Sequence, residues 1–429
     1  MRPAIHFTAE TGWINDPHGV TFADGRYHLF HQYVPGSLVW APNCHWGHAT
    51  SADLLSWQRQ GIAIAPGDGD DGIWTGSLVH DATGPRILYT SVTQPDIGIG
   101  RVRTATPADG AWNSWVKGDV VVESPADLDL LAFRDPFVVR EADGWRMFIG
   151  AGTRSGDALA LTYTSADLDR WEYDGVALER STNEREPVWM GALWECPQVF
   201  EVDGRWVMVS SVWDDDVLFY AGYAVGDYAD GRFTAESWGQ LSFGGSYYAP
   251  SFFRDADGRP CLMFWMRGVA DAEAGWSSAL SVPHLLSVRD GRLAAEPHPK
   301  LAEKRGTPLN GNDLRGFGDA VVELEWDPVD DGSRLSFSAD DAEVASIGSV
   351  GDALVLRRTG ESDWSMPYTG GAVRVLLDGP VLEIATTDGL LGGPVAQPTA
   401  IESTGGELSA WRLDVAPAAA EELDAVTAS

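Results

Sequence analysis

The sequence predicts an all-β protein in which a five-bladed β-propeller is followed by a C-terminal β-sandwich. Three observations predict this fold: a short pattern that occurs five times in the first 265 residues, paired apolar runs inside each copy, and a later region of alternating apolar and polar residues. The glycines that anchor the copies lie 59, 60, 60 and 54 residues apart and are Gly25, Gly84, Gly144, Gly204 and Gly258. A near-constant period of this size is typical of repeat proteins.

Each copy is predicted to contain an antiparallel hairpin. Two apolar runs flank a turn, as in GVTFADGRYHLF and QVFEVDGRWVMVS, and four of the five turns contain Asp-Gly, which tolerates the positive φ angles of tight hairpins. No long stretch with helical periodicity precedes the C-terminal tail, so a parallel sheet with crossover helices is not expected. Units of this length that are rich in short strands favour the blades of a propeller.

The region after the repeats is predicted to form a second domain. Segments such as VVELEW, ALVLRR and VLEIATT alternate apolar and polar residues between turns that contain Asp, Gly and Ser. This is the pattern of half-buried antiparallel strands and favours a sandwich. We therefore expect a propeller over residues 1–294 and a sandwich over residues 306–429, with a short polar helix or a frayed tail at 416–429.

The repeats are predicted to bring three acidic residues together. The residue nine positions before each anchoring glycine is Asp16, Thr75, Asp135, Glu195 or Ala249. The innermost strand of each blade lines the propeller channel, so these positions are expected to form a ring. Asn-Asp-Pro or Arg-Asp-Pro alone indicates only a turn, but converging carboxylates are costly because they repel one another and lose solvation. Three of them at one repeat position favour a functional site.

Two carboxylates that face each other across a sugar are the catalytic groups of glycoside hydrolysis. One attacks the anomeric carbon while the other protonates the leaving oxygen, so their environments must separate their pKa values. We expect Glu195 to be the acid and Asp16 to be the nucleophile, kept ionised by its polar neighbours Asn15 and His18. Asp135 would hydrogen-bond sugar hydroxyls and favour the positive charge that develops on the ring.

The motifs around these acids resemble those of a known family. WINDPHG, FRDP and WECP, in this order, closely resemble the signature blocks of glycoside hydrolase family 32, the β-fructofuranosidases that include invertases, exo-inulinases and levanases. Other blocks are similar as well: HLFHQY, HWGHATSADLLSW, IWTGS, SYYAP, FWM and, in the second region, VLLDGPVLEIATTDG. The resemblance covers nearly the whole chain, and the fold it implies is the one that the repeats predict.

The resemblance also implies roles for individual residues. Asp16 would be the nucleophile, Glu195 the general acid/base and Asp135 the stabiliser of the transition state. The fructose-binding residues would be Asn15, Gln32, Trp40, Trp74, Thr75, Arg134, Tyr248 and Trp265. Burial in the core is the alternative for Trp40 and Trp74, and an ion pair with a neighbouring acid is the alternative for Arg134. The sequence departs from the family pattern at His18, His31, Thr75 and Gln198, which bears on substrate preference.

The predicted activity is that of a retaining, exo-acting β-fructosidase, a glycoside hydrolase that forms a covalent fructosyl-enzyme. Fructosyl transfer is an alternative because the same residues serve both reactions. A more distant alternative is an inverting arabinofuranosidase or xylosidase on a similar propeller, which requires a wider separation of the carboxyl groups. A non-catalytic sugar-binding propeller is disfavoured because none of the three acids has been lost.

Composition restricts the partners and the location. A formal net charge of −33 would repel phosphate backbones and acidic membranes, so we expect a small carbohydrate ligand and neither nucleic acid nor membrane. Neither a metal nor a cofactor is predicted, because zinc-type cysteine spacing is absent. Three cysteines and an N-terminus without a signal-peptide pattern predict a cytoplasmic protein. Oligomeric state is not predicted.

The same composition predicts a neutral substrate. A phosphorylated sugar would require a cluster of lysine or arginine residues at the mouth of the pocket. Basic residues are scarce, with 30 Lys and Arg against 63 Asp and Glu. The nearby candidates are Arg101, Arg103 and Arg267.

Overall fold

The computed structural model describes residues 1–310 and 314–415. Almost all of its elements are β-strands, which confirms the all-β prediction of a propeller followed by a sandwich. The helix or tail predicted at 416–429 lies outside the described residues.

The first four blades each contain four antiparallel strands, numbered from the innermost strand outwards. Blade 1 contains β1 (Gly12–Ala23), β2 (Arg26–Val34), β3 (His45–Ser51) and β4 (Trp57–Ile64). Blade 2 contains β5 (Gly72–Asp81), β6 (Gly84–Val92), β7 (Arg101–Pro107) and β8 (Trp115–Val122). Blade 3 contains β9 (Leu130–Glu141), β10 (Gly144–Thr153), β11 (Asp157–Ser165) and β12 (Glu172–Ser181). Blade 4 contains β13 (Leu193–Val202), β14 (Arg205–Asp214), β15 (Val217–Ala229) and β16 (Arg232–Gln240).

The fifth blade is joined to the first. The strands in this part of the chain are β17 (Ser242–Phe243), β18 (Tyr247–Arg254), β19 (Pro260–Asp271), β20 (Trp276–Leu280), β21 (His284–Arg289) and β22 (Arg292–Pro297). Blade 5 consists of β18, β19, β21 and β22, while β20 pairs with β19 on one side and, in parallel, with the start of β1 on the other. This parallel pairing, Gly12 to Trp276 and Trp13 to Ser277, closes the ring.

Two further sheets pack face to face and form the sandwich. After the short helix α1 (Lys300–Glu303), the strands are β23 (Arg305–Leu309), β24 (Val322–Asp327), β25 (Arg334–Ala339), β26 (Ala342–Val350), β27 (Ala353–Arg358), β28 (Trp364–Pro367), β29 (Val373–Asp378), β30 (Val381–Thr386), β31 (Gly389–Pro394), β32 (Ala400–Thr404) and β33 (Glu407–Leu413). An apolar core that includes Trp326, Phe337 and Ile384 lies between the sheets. The strand β17 pairs with β31, so one sandwich sheet includes a strand from between blades 4 and 5. The predicted boundary between residues 294 and 306 stays a prediction. Within the described ranges, every helix is too short or too polar to cross a lipid bilayer.

A buried ionic network joins the N-terminal segment, blade 5 and the sandwich. The His6 ring lies between two sandwich carboxylates, with Nδ1 2.8 Å from Asp378 Oδ2 and Nε2 2.7 Å from Glu383 Oε1. On the propeller side, His284 Nε2 lies 3.2 Å from Glu383 Oε2, and the Val282 amide donates to Glu383 Oε1. Burial alone would lower the pKa of His6, but its bonds to Asp378 and Glu383 outweigh burial and raise this pKa to about 9. His6 is therefore a cation at neutral pH.

Candidate active site

The innermost strand of every blade carries a β-bulge close to the predicted ring position. Pairing with the second strand shifts between Asn15 and Pro17, Trp74 and Gly76, Arg134 and Phe137, Glu195 and Gln198, and Tyr248 and Ser251. Successive side chains of a regular strand point to opposite faces, whereas a bulge re-aims a side chain. Two successive residues of a strand can therefore face the propeller axis.

The bulges create two rings of residues around the axis. The upper ring consists of the last residues that pair regularly before each bulge: Asn15, Trp74, Arg134, Glu195 and Tyr248. The lower ring consists of the residues that follow them: Asp16, Thr75, Asp135, Cys196 and Ala249. The three lower-ring residues Asp135, Cys196 and Ala249 share a left-handed backbone, with φ of 65°, 49° and 46°.

The prediction that Glu195 shares one repeat position with Asp16 and Asp135 is wrong. Glu195 belongs to the upper ring, and Cys196 takes the equivalent position in blade 4. Counting nine residues back from each anchoring glycine does not give equivalent positions, because the glycines themselves are not equivalent. Gly144 is the first residue of its strand, paired with Glu141, whereas Gly204 lies inside the two-residue turn between Val202 and Arg205. Glu195 therefore lies one residue closer to the N-terminal ends of the inner strands.

One pocket, of about 580 Å³, lies over both rings. It is lined by all five upper-ring residues and, from the lower ring, by Asp16 and Asp135. Its other lining residues come from the starts of inner strands, from second and third strands and from loops: Trp13, Gln32, Trp40, Ile97, Gly98, Leu131, Ala132, Leu193, Trp213, Asp216, Leu218 and Trp265. The volume is that of a typical small-ligand site. Because the lining continues towards the strand starts, the mouth lies on that side and the lower ring forms the floor.

Asp16 is held by a small hydrogen-bond network. Thr75 Oγ1 donates to Asp16 Oδ2 over 2.7 Å, and Gln32 Nε2 lies 3.0 Å from the same oxygen and 2.6 Å from Thr75 Oγ1. Asn15 also forms a side-chain hydrogen bond to this carboxylate. Burial, reinforced by the negative charge of Glu195, raises the pKa of Asp16 to about 6 despite these bonds. Thr75 thus lies behind Asp16 and is not itself among the pocket-lining residues.

His18 does not support the charge on Asp16 as the sequence predicted. Its ring packs on Trp46, with centroids 3.9 Å apart, and is 1% exposed. Burial lowers the pKa of His18 well below 6.5, so the ring is neutral at neutral pH and adds no positive charge beside Asp16.

Each carboxylate oxygen of Glu195 has a fixed donor. Arg134 Nη2 lies 2.8 Å from Oε1, and the Tyr248 hydroxyl donates to Oε2 over 2.6 Å. The ion pair considered as an alternative for Arg134 is therefore present, although Arg134 also lines the pocket. Behind Tyr248, the guanidinium of Arg267 lies 4.8 Å from the ring centroid. These contacts orient Glu195 across the pocket from Asp16.

Asp135 is bonded within the floor of the pocket. Its amide donates to Thr90 Oγ1 over 2.8 Å, and its Oδ2 accepts the Cys196 amide over 3.0 Å. Burial raises the pKa of Asp135 to about 7, and the charges of Glu195 and Asp16 add to this effect against the opposing charge of Arg134. The pocket thus contains three carboxyl groups, those of Asp16, Asp135 and Glu195, and one buried arginine, Arg134.

Aromatic side chains form the walls. Trp40 is 41% exposed, so core burial does not apply to it, and it packs edge-on to Trp74 with centroids 5.5 Å apart. On the other side, Trp265 packs edge-on to Trp13 at 5.5 Å and to Tyr248 at 6.2 Å. Such walls offer apolar faces for sugar rings and few polar groups that would fix a charged ligand.

Sequence reasoning missed the wall formed by Trp213, Asp216 and Leu218 at the β14–β15 turn. It also missed Ile97 and Gly98, which lie between β6 and β7. Connections between the second and third strands of a blade lie at the same end as the starts of the inner strands. The run Trp-Asp-Asp-Asp at residues 213–216 was the signal in the sequence that could have identified this wall.

A separate group with metal-ligand chemistry lies away from the pocket. The ligand atoms of Asp255, Cys261 and His298 lie within 4.8 Å of one another and are buried. Arg259 Nε lies 2.7 Å from Asp255 Oδ2, and His298 Nε2 lies 3.0 Å from the same oxygen. A guanidinium bound there repels a cation, so the residues do not fit a metal site.

A pocket that holds paired carboxylates between aromatic walls is the kind of site that glycoside hydrolases use. The chain belongs to family 32 of the glycosyl hydrolases, since the model of that family's N-terminal domain matches residues 6–297.

Curated relatives and solved structures agree with this assignment. The chain is 33% identical over 320 residues to a sucrose-6-phosphate hydrolase of Zymomonas mobilis, with 69% of the chain and 61% of that protein covered. It is 33% identical over 384 residues to a levanase of Bacillus subtilis, with coverages of 78% and 54%. The chain thus spans roughly three fifths of the length of the curated relatives it matches. A family 32 β-fructofuranosidase of Bombyx mori has the same fold, with a TM-score of 0.82, 24% identity and coverages of 96% and 94%.

Proposed function

We propose that the protein is a retaining, exo-acting β-fructosidase that hydrolyses terminal non-reducing β-D-fructofuranosyl residues of sucrose and short fructooligosaccharides. The observation that carries the proposal is the placement of Asp16 and Glu195 in successive rings of one pocket. A fructosyl unit that enters end-on has its anomeric carbon beside Asp16, on the floor. Its glycosidic oxygen lies beside Glu195, nearer the mouth. A pocket with a floor accepts the end of a chain and not its middle.

Hydrolysis then follows two displacements. A carboxylate oxygen of Asp16 bonds to the anomeric carbon as the glycosidic C–O bond breaks, and the Glu195 proton passes to the leaving oxygen. The Glu195 carboxylate next takes a proton from water, whose oxygen displaces Asp16 and releases fructose. Two inversions give net retention, and Glu195 regains its proton. Asp135 accepts hydrogen bonds from fructose hydroxyls and stabilises the oxocarbenium-like transition state.

Glu195→Gln is expected to lower kcat on sucrose by roughly 10²–10⁴-fold, because the amide cannot protonate the leaving oxygen. On an aryl β-fructoside, whose leaving group needs little protonation, Glu195→Gln should lower the rate of the first displacement much less. Fructose and phenol release, measured side by side, check this. The control is Glu201→Gln, an exposed glutamate on the same strand. Wild-type turnover of sucrose by Glu195→Gln would remove Glu195 from the acid role.

The pH profile of kcat/KM should fall about tenfold per unit below about pH 6. The raised pKa of Asp16, about 6, means that the nucleophilic carboxylate is replaced by the unreactive acid below this value. Asp135 titrates in the same range, so the apparent pKa belongs to the pair. Initial rates on sucrose from pH 4 to 9 measure this apparent pKa. A profile that stays flat down to pH 4 contradicts this role for Asp16.

The function is tested by two measurements on the full chain. The first is fructose release from sucrose, kestose, inulin and levan. The second is NMR detection of the first fructose anomer, which is β-fructofuranose for retention. An inverted first product, or release of arabinose or xylose from furanosides and xylosides in place of fructose, would favour the inverting enzymes. Oligosaccharides longer than the substrate at high sucrose would assign fructosyl transfer. The cytoplasmic location remains a prediction.

We further propose that the substrate is neutral. Arg134 is the one cation among the described residues that line the pocket, and it is already paired with Glu195. Arg267 donates to the carbonyls of Leu218 and Phe219, over 2.7 and 2.9 Å. At the mouth, Asp216 adds negative charge. A phosphate ester would meet repulsion here, although several relatives, among them the one from Zymomonas mobilis, are named sucrose-6-phosphate hydrolases.

The other two candidate arginines are also committed to structural bonds. Arg101 donates to Gly69 O and to Ser91 Oγ, and Arg103 donates to Gly118 O and pairs with Asp70. The ratio of kcat/KM for sucrose to that for sucrose 6-phosphate measures the preference. A ratio above ten supports a neutral substrate, and a ratio below one overturns it.

A further inference from the structure

The bulges take lower-ring amides out of the ladder of their own blade, and side chains of the preceding blade bind the amides of Asp135, Cys196 and Ala249. A bulged residue falls outside the ladder, and a buried amide requires another acceptor. The Asp135 amide donates to Thr90 Oγ1 over 2.8 Å, and the Ala249 amide donates to Ser211 Oγ over 3.0 Å. In both cases the acceptor belongs to the second strand of the preceding blade.

Thr90 and Ser211 occupy the same place in their blades. Thr90 pairs with Trp74 and Ser211 with Glu195, so each lies opposite an upper-ring residue. Their exposures are 1% and 0%. The Thr90 hydroxyl also donates to the Thr75 carbonyl over 2.9 Å. It therefore links the lower-ring residue of blade 2 to that of blade 3 with one oxygen atom.

Blade 3 has no hydroxyl side chain at the place that Thr90 and Ser211 occupy in blades 2 and 4. Its equivalent residue is Gly150, where an added Cβ would lie 2.3 Å from the Trp194 carbonyl oxygen. A hydroxyl side chain does not fit there. The lower-ring amide of blade 4, that of Cys196, donates instead to Asp135 Oδ2 over 3.0 Å. One oxygen of Asp135 thus performs in blade 3 the linking function that hydroxyls perform in blades 2 and 4.

We propose that Thr90 and Ser211 are positioning residues of the active site. Thr90 sets the height and orientation of Asp135 through its amide, and Ser211 sets the bulge that follows Tyr248, the donor to Glu195. The inference rests on the proposed function for the roles of Asp135 and Glu195. Displacements of about 1 Å in a catalytic group can cost on the order of 10²-fold in rate. The two hydroxyls therefore act on turnover without touching the sugar.

For Thr90, the test compares Thr90→Val, which keeps the shape and removes the hydroxyl, with Thr90→Ser, which keeps the hydroxyl. We expect Thr90→Val to lower kcat on sucrose about 10- to 100-fold, measured well below its thermal midpoint, with a smaller change in KM. Thr90→Ser should recover most of the loss. A crystal structure of Thr90→Val should show Asp135 displaced. Wild-type kcat in Thr90→Val, or no rescue by Thr90→Ser, overturns the role of Thr90.

For Ser211, the neighbouring serine provides a matched control. Ser210 is equally buried, and its hydroxyl has no hydrogen-bond partner. Ser211→Ala should lower kcat about tenfold with a smaller change in KM, whereas Ser210→Ala should leave both unchanged. Equal effects of the two variants, or a change in thermal midpoint alone, overturn the proposal for Ser211. Absence of fructose release by the wild type would refute the proposed function instead, and the Asp135 displacement would still decide the positioning role.

Discussion

Asp16→Asn is expected to lower kcat for fructose release by at least about 10⁴-fold and, at pH 7.5, to raise the thermal midpoint. Removing a nucleophile costs on the order of 10⁴–10⁶ in kcat, because the covalent route is lost. The isosteric amide keeps the hydrogen-bond geometry around Thr75 and Gln32 while it removes a buried negative charge.

The gain in stability follows from the pKa. The folded-state pKa of Asp16 is about 6, above its usual value of 3.8, so the native state binds more protons than the unfolded state between these values. The stability that this carboxyl contributes therefore falls as pH rises through this window. Above about pH 6 the ionised carboxylate destabilises the fold by about 1–3 kcal/mol, which the amide avoids.

Single-turnover kinetics and a thermal melt at pH 7.5 and at pH 3.5 check both expectations. The gain in thermal midpoint should vanish at pH 3.5. Asp257→Asn, an exposed aspartate beside Arg259, is the control and should change neither quantity. A variant that keeps wild-type turnover would remove Asp16 from the reaction. A variant that is inactive but less stable than the wild type would assign Asp16 a structural role.

His6→Ala is expected to lower the free energy of unfolding by about 3–5 kcal/mol, because it leaves Asp378 and Glu383 buried without their cation. These carboxylates belong to the sandwich, and Glu383 also contacts blade 5 through His284. The loss should therefore appear first as weaker association of the sandwich with the propeller. Urea unfolding, followed by tryptophan fluorescence and by fructose release, measures it. The control is His80→Ala, an exposed histidine in β5 expected to stay within about 0.5 kcal/mol.

The same histidine predicts a loss of stability at alkaline pH. Its pKa is raised to about 9 in the folded state, against 6.5 unfolded, so its contribution is fully present below about pH 6.5 and is lost as pH rises through 9. The wild type should lose stability between pH 7 and 10, and His6→Ala should lack this slope. Parallel curves for the two proteins would exclude His6 as the source.

The fold could be predicted because the period and the hairpin turns are local features that strand pairing preserves. Asp-Gly at residues 24–25 and 203–204 forms turns in the structure as expected. The convergence of the acids followed from the same period. Alternation of apolar and polar residues was sufficient for the sandwich, because the faces of its sheets are buried on one side only.

The assignment of Glu195 to the upper ring could not be predicted, because it depends on the register between the first two strands of its blade. In blade 1 a second shift between His18 and Thr21 adds a residue, so Asp16 lies nine residues before Gly25 even though Gly25 is in the turn. Blade 4 lacks this second shift within its described pairing, and the same count returns Glu195 when the equivalent residue is Cys196. A bulge is recognised from pairing partners, and those become known only when the sheet is assembled.

The contacts between blades could not be predicted from the sequence either. Thr90 and Ser211 lie in apolar runs, ILYTSV and WVMVSSV, where nothing distinguishes a hydroxyl that binds a neighbouring blade from one that does not. Ser210 and Ser211 are adjacent and equally buried, but only Ser211 binds an amide of the next blade. The difference depends on which side of β14 faces blade 5.

The pairing of β20 with β1 has a consequence for the order in which the protein folds. The two pairs join residues 12 and 13 to residues 276 and 277, among the most distant contacts in the propeller, and β1 carries Asp16. Contacts between such distant parts of a chain form slowly, since the intervening loop must be ordered first. Hairpins of separate blades can form early, but the ring closes around the pocket, which residues of all five blades line, only when the last blade meets the first. We therefore expect the pocket to be completed at the end of folding, and a chain interrupted before β20 to form blades without a closed ring.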